Sequence, residues 1–182
     1  MGDEAERAYE KALTFLERSA RTEAEIRERL TRAGFAEDVT EQTLDRLRDA
    51  GLVDDADYAE RYLEVLTAKG RGSRRIADEM RRKGLPDDVV KARIEEDVSR
   101  EGETAAAFAI AERLFEKLGG PEAAVAEAEA GRDSGSAPGM TGSARGMTEL
   151  QKIWQKVDRK LVSLGYPYGV VGEVMTKLRS SL

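Results

Sequence analysis

The sequence predicts an all-α protein made of three tandem three-helix modules, which are imperfect repeats of about 50 residues. A ten-residue pattern occurs three times, with apolar first and fifth residues, a glycine ninth and a large apolar tenth. Its copies are residues 26–35, 76–85 and 157–166. Further apolar positions keep the same offsets between copies, which indicates an internal repeat rather than chance similarity. Small modules that pack only against their neighbours in sequence form an extended array, so we expect an elongated, curved chain.

The first repeat is expected over residues 1–52. Apolar residues at helical spacing predict a helix near the start of the chain. Thr22 followed by Glu25 is a capping-box pattern, so a second helix should begin there. Gly34 is the expected left-handed residue after that helix, and a third helix should end at Gly51.

The second repeat is expected over residues 53–102. Asp54 and Asp55 are adjacent carboxylates, which could be half of a metal site or the start of a helix. We favour the helix start, because acidic side chains cap and stabilise helix N-termini. After a glycine-rich turn, Ser73 is expected to cap a short basic helix that ends at Gly84.

The third repeat is expected over residues 103–182, with an interruption. Residues 119–147 are rich in glycine, alanine, serine and proline and hold almost no large apolar side chain. Such a segment buries too little to offset its ordering entropy, so we expect a mobile insert with a turn of helix at residues 121–130. Thr148 and Gln151 form a second capping box, where the repeat resumes.

The last predicted helix carries two glycines, Gly169 and Gly172. Each glycine weakens a helix by roughly 1 kcal/mol relative to alanine. This helix should therefore fray unless it docks against the rest of the module.

Composition narrows the classes of function. The chain of 182 residues has neither cysteine nor histidine, which removes disulfides, imidazole chemistry and the usual zinc sites. The carboxylates fall on helix surfaces near basic residues, so we expect no enzyme and no cofactor. No apolar run is long enough to cross a membrane and no signal-peptide pattern is present. We expect a cytoplasmic monomer.

A basic segment surrounds the second copy of the repeat, although the formal net charge of the chain is −6. Residues 69–83 contain seven basic residues and only two acidic ones, Asp78 and Glu79. The basic residues are Lys69, Arg71, Arg74, Arg75, Arg81, Arg82 and Lys83. Salt bridges along the helix could explain part of this pattern, but two acids cannot neutralise seven bases. We expect a binding surface.

A second basic row lies on the helix before the third glycine stop. Lys152, Lys156, Arg159 and Lys160 are separated from the apolar stripe of that helix by about a third of a turn. Such a row fits either a contact with phosphates or acidic protein, or a plain solvated face. Trp154 sits at the edge of the apolar stripe, so we expect it in the core rather than as a platform for base stacking.

The middle of the chain resembles the RecX family of regulatory proteins. The resemblance is carried by GLVDDADYAERYLE (51–64) and AKGRGSRRIADEMRRKGLPDDVV (68–90), and the first repeat is similar to the opening unit of the family. The closing unit matches more loosely, because Leu164 stands where an arginine is usual.

This resemblance implies tandem three-helix modules that modulate the RecA recombinase. Family members bind in the groove of the RecA–DNA filament and limit its growth, ATPase and strand exchange. The implied partners are the RecA filament and the DNA phosphates within it. A regulator that binds duplex phosphates without RecA is the alternative.

Overall fold

The structure is a computed structural model that describes residues 2–133 and 147–181. Ten α-helices and no strand occur in these ranges, which confirms the all-α prediction. The helices are α1 (Gly2–Leu16), α2 (Glu23–Arg32), α3 (Glu37–Asp49), α4 (Asp55–Ala68), α5 (Ser73–Arg82), α6 (Asp87–Asp97), α7 (Arg100–Lys117), α8 (Gly120–Asp133), α9 (Glu149–Leu164) and α10 (Tyr168–Ser180).

The helices belong to two compact units. Unit 1 contains the chain up to Lys69 together with Arg75–Val98, and unit 2 contains Gly70–Arg74 together with the chain from Ser99 onward. The first two residues of α5 therefore belong to unit 2 and the remainder to unit 1. The division into three modules at residues 52 and 102 stays a prediction.

Three of the predicted helix starts are confirmed, those of α2, α4 and α9. Thr22 accepts a hydrogen bond from the Glu25 amide, and the Glu25 side chain accepts one from the Thr22 amide. Thr148 and Gln151 form the same reciprocal pair at the start of α9. The Asp54 carboxylate caps α4 by accepting from two amides of its first turn. These bonds satisfy donors that an isolated helix leaves without partners.

The second helix of each repeat ends in the same way. Gly34, Gly84 and Gly165 have φ angles of 89°, 79° and 89°. In all three, the amide of the following residue bonds to the carbonyl five residues earlier at 3.3 Å. These bonds are Phe35 to Leu30, Leu85 to Met80 and Tyr166 to Leu161. This is the Schellman ending, which glycine adopts at the lowest conformational cost.

The buried apolar residues form three clusters, two in unit 1 and one in unit 2. The first and fifth positions of the ten-residue pattern supply their centres, because helical spacing places both on one face. These residues are at most 1% exposed: Ile26, Leu30, Ile76, Met80, Val157 and Leu161.

Within unit 1, the start of α2 contacts both α5 and α4 through polar groups. The Thr22 hydroxyl donates to the Lys83 carbonyl at 2.7 Å. The Lys83 ammonium donates to Glu25 at 2.8 Å, and this hydrogen bond raises the pKa of Lys83. The Glu23 amide donates to the Asp55 carboxylate at 2.9 Å, while burial raises the pKa of Asp55. We call this set of contacts the α2–α5 joint.

Within unit 2, the glycine-rich segment before α5 packs against the turn between α9 and α10. The Gly72 amide donates to the Leu164 carbonyl at 2.9 Å, and the Arg74 amide donates to Gly165 at 3.1 Å. The approach is so close that a Cβ on Gly72 would lie 2.5 Å from the Tyr166 nitrogen. This position therefore requires glycine for packing, although its φ is not in the left-handed region.

Ser73 does not cap the basic helix as predicted. It is the first residue of α5, and its amide donates to the Glu103 carboxylate at 2.6 Å. A carboxylate from α7 thus satisfies one amide of the α5 N-terminus, where negative charge is favoured.

The first half of the predicted insert is helical. α8 occupies residues 120–133, which include the expected 121–130 and extend beyond them at both ends, and residues 134–146 lie outside the described ranges. Five alanines in this stretch explain the helix, since alanine has the highest helix propensity.

The last helix, α10, packs against the rest of unit 2, as we expected for a helix that two glycines weaken. Its buried face carries Val170, Val171, Val174, Met175 and Leu178.

The contact at Gly72 leads to a first prediction. Gly72→Ala should destabilise unit 2 by about 2 kcal/mol, because the added methyl meets backbone atoms that cannot move aside cheaply. Gly172→Ala is the matched control, since its Cβ would meet nothing within 4 Å. The control should stabilise α10 by up to ~1 kcal/mol. Denaturant unfolding measures both variants, and equal effects would contradict the close approach.

The α2–α5 joint leads to a second prediction. Thr22→Val keeps the side-chain shape but removes a buried hydroxyl that caps α2 and reaches the Lys83 carbonyl. We expect a loss of about 1–2 kcal/mol. Thr40→Val is the control, because that hydroxyl is equally buried but has no hydrogen-bond partner among the described residues. The control should be neutral or slightly stabilising. A Thr22→Val variant that unfolds like Thr40→Val would refute the role of the joint.

Candidate functional site

Most predicted site residues of α5 are engaged in salt bridges within unit 1. Arg75 pairs with Glu79 at 2.7 Å, and Arg81 pairs with Asp87 at 2.7 Å. Arg82 lies 3.9 Å from Glu79. The three arginine side chains are 41–60% exposed, whereas Glu79 is 18% exposed and Asp87 is 83% exposed. Salt bridges of such exposed arginines are weak and can rearrange when a partner binds.

Lys83 differs from the arginines before it. Its ammonium forms part of the α2–α5 joint, and its side chain is 34% exposed. Lys69, by contrast, is exposed and forms no salt bridge within the part of the chain that the structure describes. The two lysines at the ends of the predicted basic segment thus have different surroundings.

Arg71 and Arg74 lie in the portion of the basic segment that belongs to unit 2. The Arg74 guanidinium lies over the ring of Tyr168, 5.0 Å from its centroid. Tyr168 is 68% exposed, the largest value among the exposed large apolar and aromatic residues described. The Arg71 Nε is buried and has no hydrogen-bond partner among the described residues.

The second basic row lies on the exposed side of α9. Lys152 pairs with Glu149 at 2.6 Å, an interaction that lowers the pKa of Glu149. The Arg159 guanidinium donates to the Gln155 side chain at 3.0 Å. Lys156 and Lys160 are exposed and form no salt bridge with any described residue. These two lysines, one turn apart, and Arg159 are therefore the cations of the row that have no salt bridge with a described residue.

Trp154 is buried, as predicted, and is 8% exposed. Its ring stacks on Phe115 with centroids 4.4 Å apart, and the Arg179 guanidinium lies 5.2 Å from its centroid. A platform for single-stranded nucleic acid needs an accessible ring face. Trp154 does not provide one.

Two residues near the predicted site were not identified as candidates from the sequence. Tyr168 lies beside Arg74, and Arg179 lies beside Trp154. Both belong to α10, whose charge pattern gives no strong signal. Their roles depend on contacts with other helices, which spacing within one helix does not reveal.

The described residues contain no group of three or more acidic side chains arranged to hold a metal ion. No helix among them has the length and hydropathy needed to span a membrane. The adjacent Asp54 and Asp55 act separately, one as a helix cap and the other in the α2–α5 joint.

Comparison with known proteins gives a consistent result. The family model for the first three-helix domain of RecX matches residues 8–47, and the model for the second matches residues 54–92. The Regulatory protein RecX of Mycobacterium sp. (strain KMS) is 43% identical over 88 residues, which is 48% of each chain. The chain thus spans about half the length of such curated relatives.

Longer alignments extend the similarity. The Regulatory protein RecX of Mycolicibacterium vanbaalenii is 34% identical over 129 residues, 70% of each chain. The crystal structure of RecX from Lactobacillus salivarius has a TM-score of 0.73 at 19% identity, and the match covers 98% of this chain and 99% of that one. The structural match supports the all-α fold, and the sequence matches cover both predicted N-terminal repeats. The chain belongs to the RecX family of regulatory proteins.

Proposed function

We propose that this protein binds the RecA–DNA filament and limits filament extension, ATP hydrolysis and strand exchange. The observation that carries the proposal is membership of a regulatory family, supported by matches to both RecX three-helix domains. The protein acts in the cytoplasm as a monomer, without a cofactor and without catalysing a reaction of its own.

The basic row on α9 supports a filament contact. Lys156 and Lys160 project from one exposed face, and the remaining side chains of that face neutralise them incompletely. Cations kept unpaired on a solvated helix add no helix stability, since equal charges one turn apart repel each other. An anionic partner, either DNA phosphate or an acidic protein surface, removes this repulsion when it binds.

The basic segment before and within α5 supplies additional cations. Lys69 and Arg74 are exposed, and the salt-bridged arginines of α5 can exchange their surface partners for phosphates. Several weak contacts held on one chain bind together more tightly than any one of them alone. A filament, which repeats the same surface, is a suitable partner for such a chain.

Filament-dependent ATP hydrolysis tests the proposal. The protein should inhibit hydrolysis by the RecA of the same organism on single-stranded DNA, and it should shorten filaments seen by electron microscopy. Unchanged hydrolysis at saturating protein would refute the proposal.

The double reversal Lys156→Glu/Lys160→Glu provides the third prediction. It should weaken inhibition at least tenfold, because it replaces two cations facing the anionic partner by two anions. Arg113→Glu/Lys117→Glu is the matched control: the two residues are also one turn apart, exposed and in unit 2, and the net charge changes equally. Equal loss in both variants would show that only total charge matters.

Binding to DNA without RecA distinguishes the alternative. If the protein contacts phosphates directly, the double reversal should reduce the slope of log K against log salt by up to about 2 on naked duplex. If the protein binds naked DNA as tightly as it binds the RecA–DNA filament, it is a DNA-binding regulator independent of RecA.

A further inference from the structure

A groove of about 750 Å³ lies between α9 and α10 in unit 2. Trp154, Met175 and Gly172 contribute to its lining, together with the guanidinium groups of Arg159 and Arg179. Trp154 and Met175 are largely buried, and Met147, 40% exposed, lines one end of the groove. We call this feature the α9–α10 groove.

Gly172 keeps the groove open. It lies inside α10, where glycine costs roughly 1 kcal/mol relative to alanine. Its φ is not in the left-handed region, and a Cβ placed on it would meet nothing within 4 Å. Neither backbone conformation nor packing within the described chain therefore requires glycine here. A side chain at this position would instead project into the space of the groove.

The groove does not suit a nucleobase. A base binds to aromatic side chains by stacking on an accessible ring face. Trp154 is 8% exposed, Phe115 stacks on its ring, and Arg179 lies over it. The apolar lining consists instead of Met147, which is 40% exposed and whose sulfur accepts a hydrogen bond from the Gln155 amide at 3.3 Å, and of the largely buried Trp154 and Met175. Methionine side chains adapt their shape to a variety of apolar partners, which suits an inserted aliphatic or aromatic side chain.

The charges of the groove favour an acidic partner. Arg159 and Arg179 form no salt bridge with any described residue, and Asp158 is the one acid among the lining residues. Guanidinium groups bind carboxylates in a planar, two-bonded geometry. The nearby Lys156 adds positive charge along the same helix.

We propose that the α9–α10 groove binds an acidic peptide segment of a partner protein, which inserts one apolar side chain over Gly172. Carboxylates on either side of that side chain pair with Arg159 and Arg179. A larger residue at position 172 would occupy the space of the inserted side chain. The inference goes beyond filament binding, because it assigns a peptide site whose existence needs neither RecA nor DNA.

The probe is a phage-displayed library of random 12-residue peptides selected against the full-length protein. Selected peptides should carry Asp or Glu on both sides of Leu, Met or Phe. A labelled selected peptide then reports affinity by fluorescence anisotropy. A selection that yields no acidic peptides overturns the proposal.

Gly172→Leu should weaken binding of the labelled peptide at least tenfold. The melting temperature of this variant should be no lower than that of the unmodified protein. Gly169→Leu is the matched control, because it adds the same side chain to the same helix away from the groove lining. The control should bind within twofold of the unmodified protein. Equal binding by the two leucine variants overturns the proposal.

Further comparisons identify a different occupant. Arg159→Gln should weaken peptide binding at least threefold, and Arg113→Gln, an exposed position of unit 2 outside the groove lining, should not. If Gly172→Leu weakens binding of a labelled 12-nucleotide oligo(dT) and leaves the peptide unaffected, the groove is a nucleic-acid site. If sedimentation shows self-association that Gly172→Leu abolishes, the occupant is a second copy of the chain. Either result overturns the proposal.

Discussion

The left-handed glycine after the second helix of each repeat is the constraint on which much of this fold depends. At Gly34, Gly84 and Gly165 the chain reverses within one residue, and the next amide bonds back to a carbonyl of the last turn. A side chain at these φ values would cost roughly 1 kcal/mol or more. The reversal returns the following large apolar residue toward the core and sets the direction of the next helix. The same ending in three places gives the repeats a common local geometry.

These helix endings also serve as docking points. A helix end leaves carbonyl groups that its own backbone cannot satisfy, and an incoming donor can bond to them. In unit 1, the Thr22 hydroxyl donates to the Lys83 carbonyl; in unit 2, the Gly72 amide donates to the Leu164 carbonyl. Thr22 and Gly72 occupy the same position of the repeat, and so do Lys83 and Leu164. The same requirement is therefore met twice, once by a side chain and once by the backbone.

The sequence predicted features that depend on neighbours within one helix, and it missed those that depend on distant residues. Capping boxes and glycine stops could be predicted because they involve residues three to five apart. The contact of Ser73 with Glu103 joins residues 30 apart, and that of Lys83 with Glu25 joins residues 58 apart. No periodicity within one helix predicts such pairs. α8 was underestimated for another reason: its alanines favour a helix without providing an apolar stripe that marks one.

Helix α9 shows why the number of basic residues in a segment overestimates its binding surface. A helical projection separates the basic residues that lie on different faces. With 3.6 residues per turn, the side chains of its 16 residues fall into rows on separate faces. One row is buried and holds the core of unit 2, one presents Lys156 and Lys160, and a third lines the groove with Gln155 and Arg159. The basic residues of α5, in contrast, are largely engaged in salt bridges with nearby acids. Local neutralisation, more than the number of cations, therefore distinguishes Lys156 and Lys160 from the paired arginines of α5, and it makes the two lysines the stronger candidates for contact with an anionic partner.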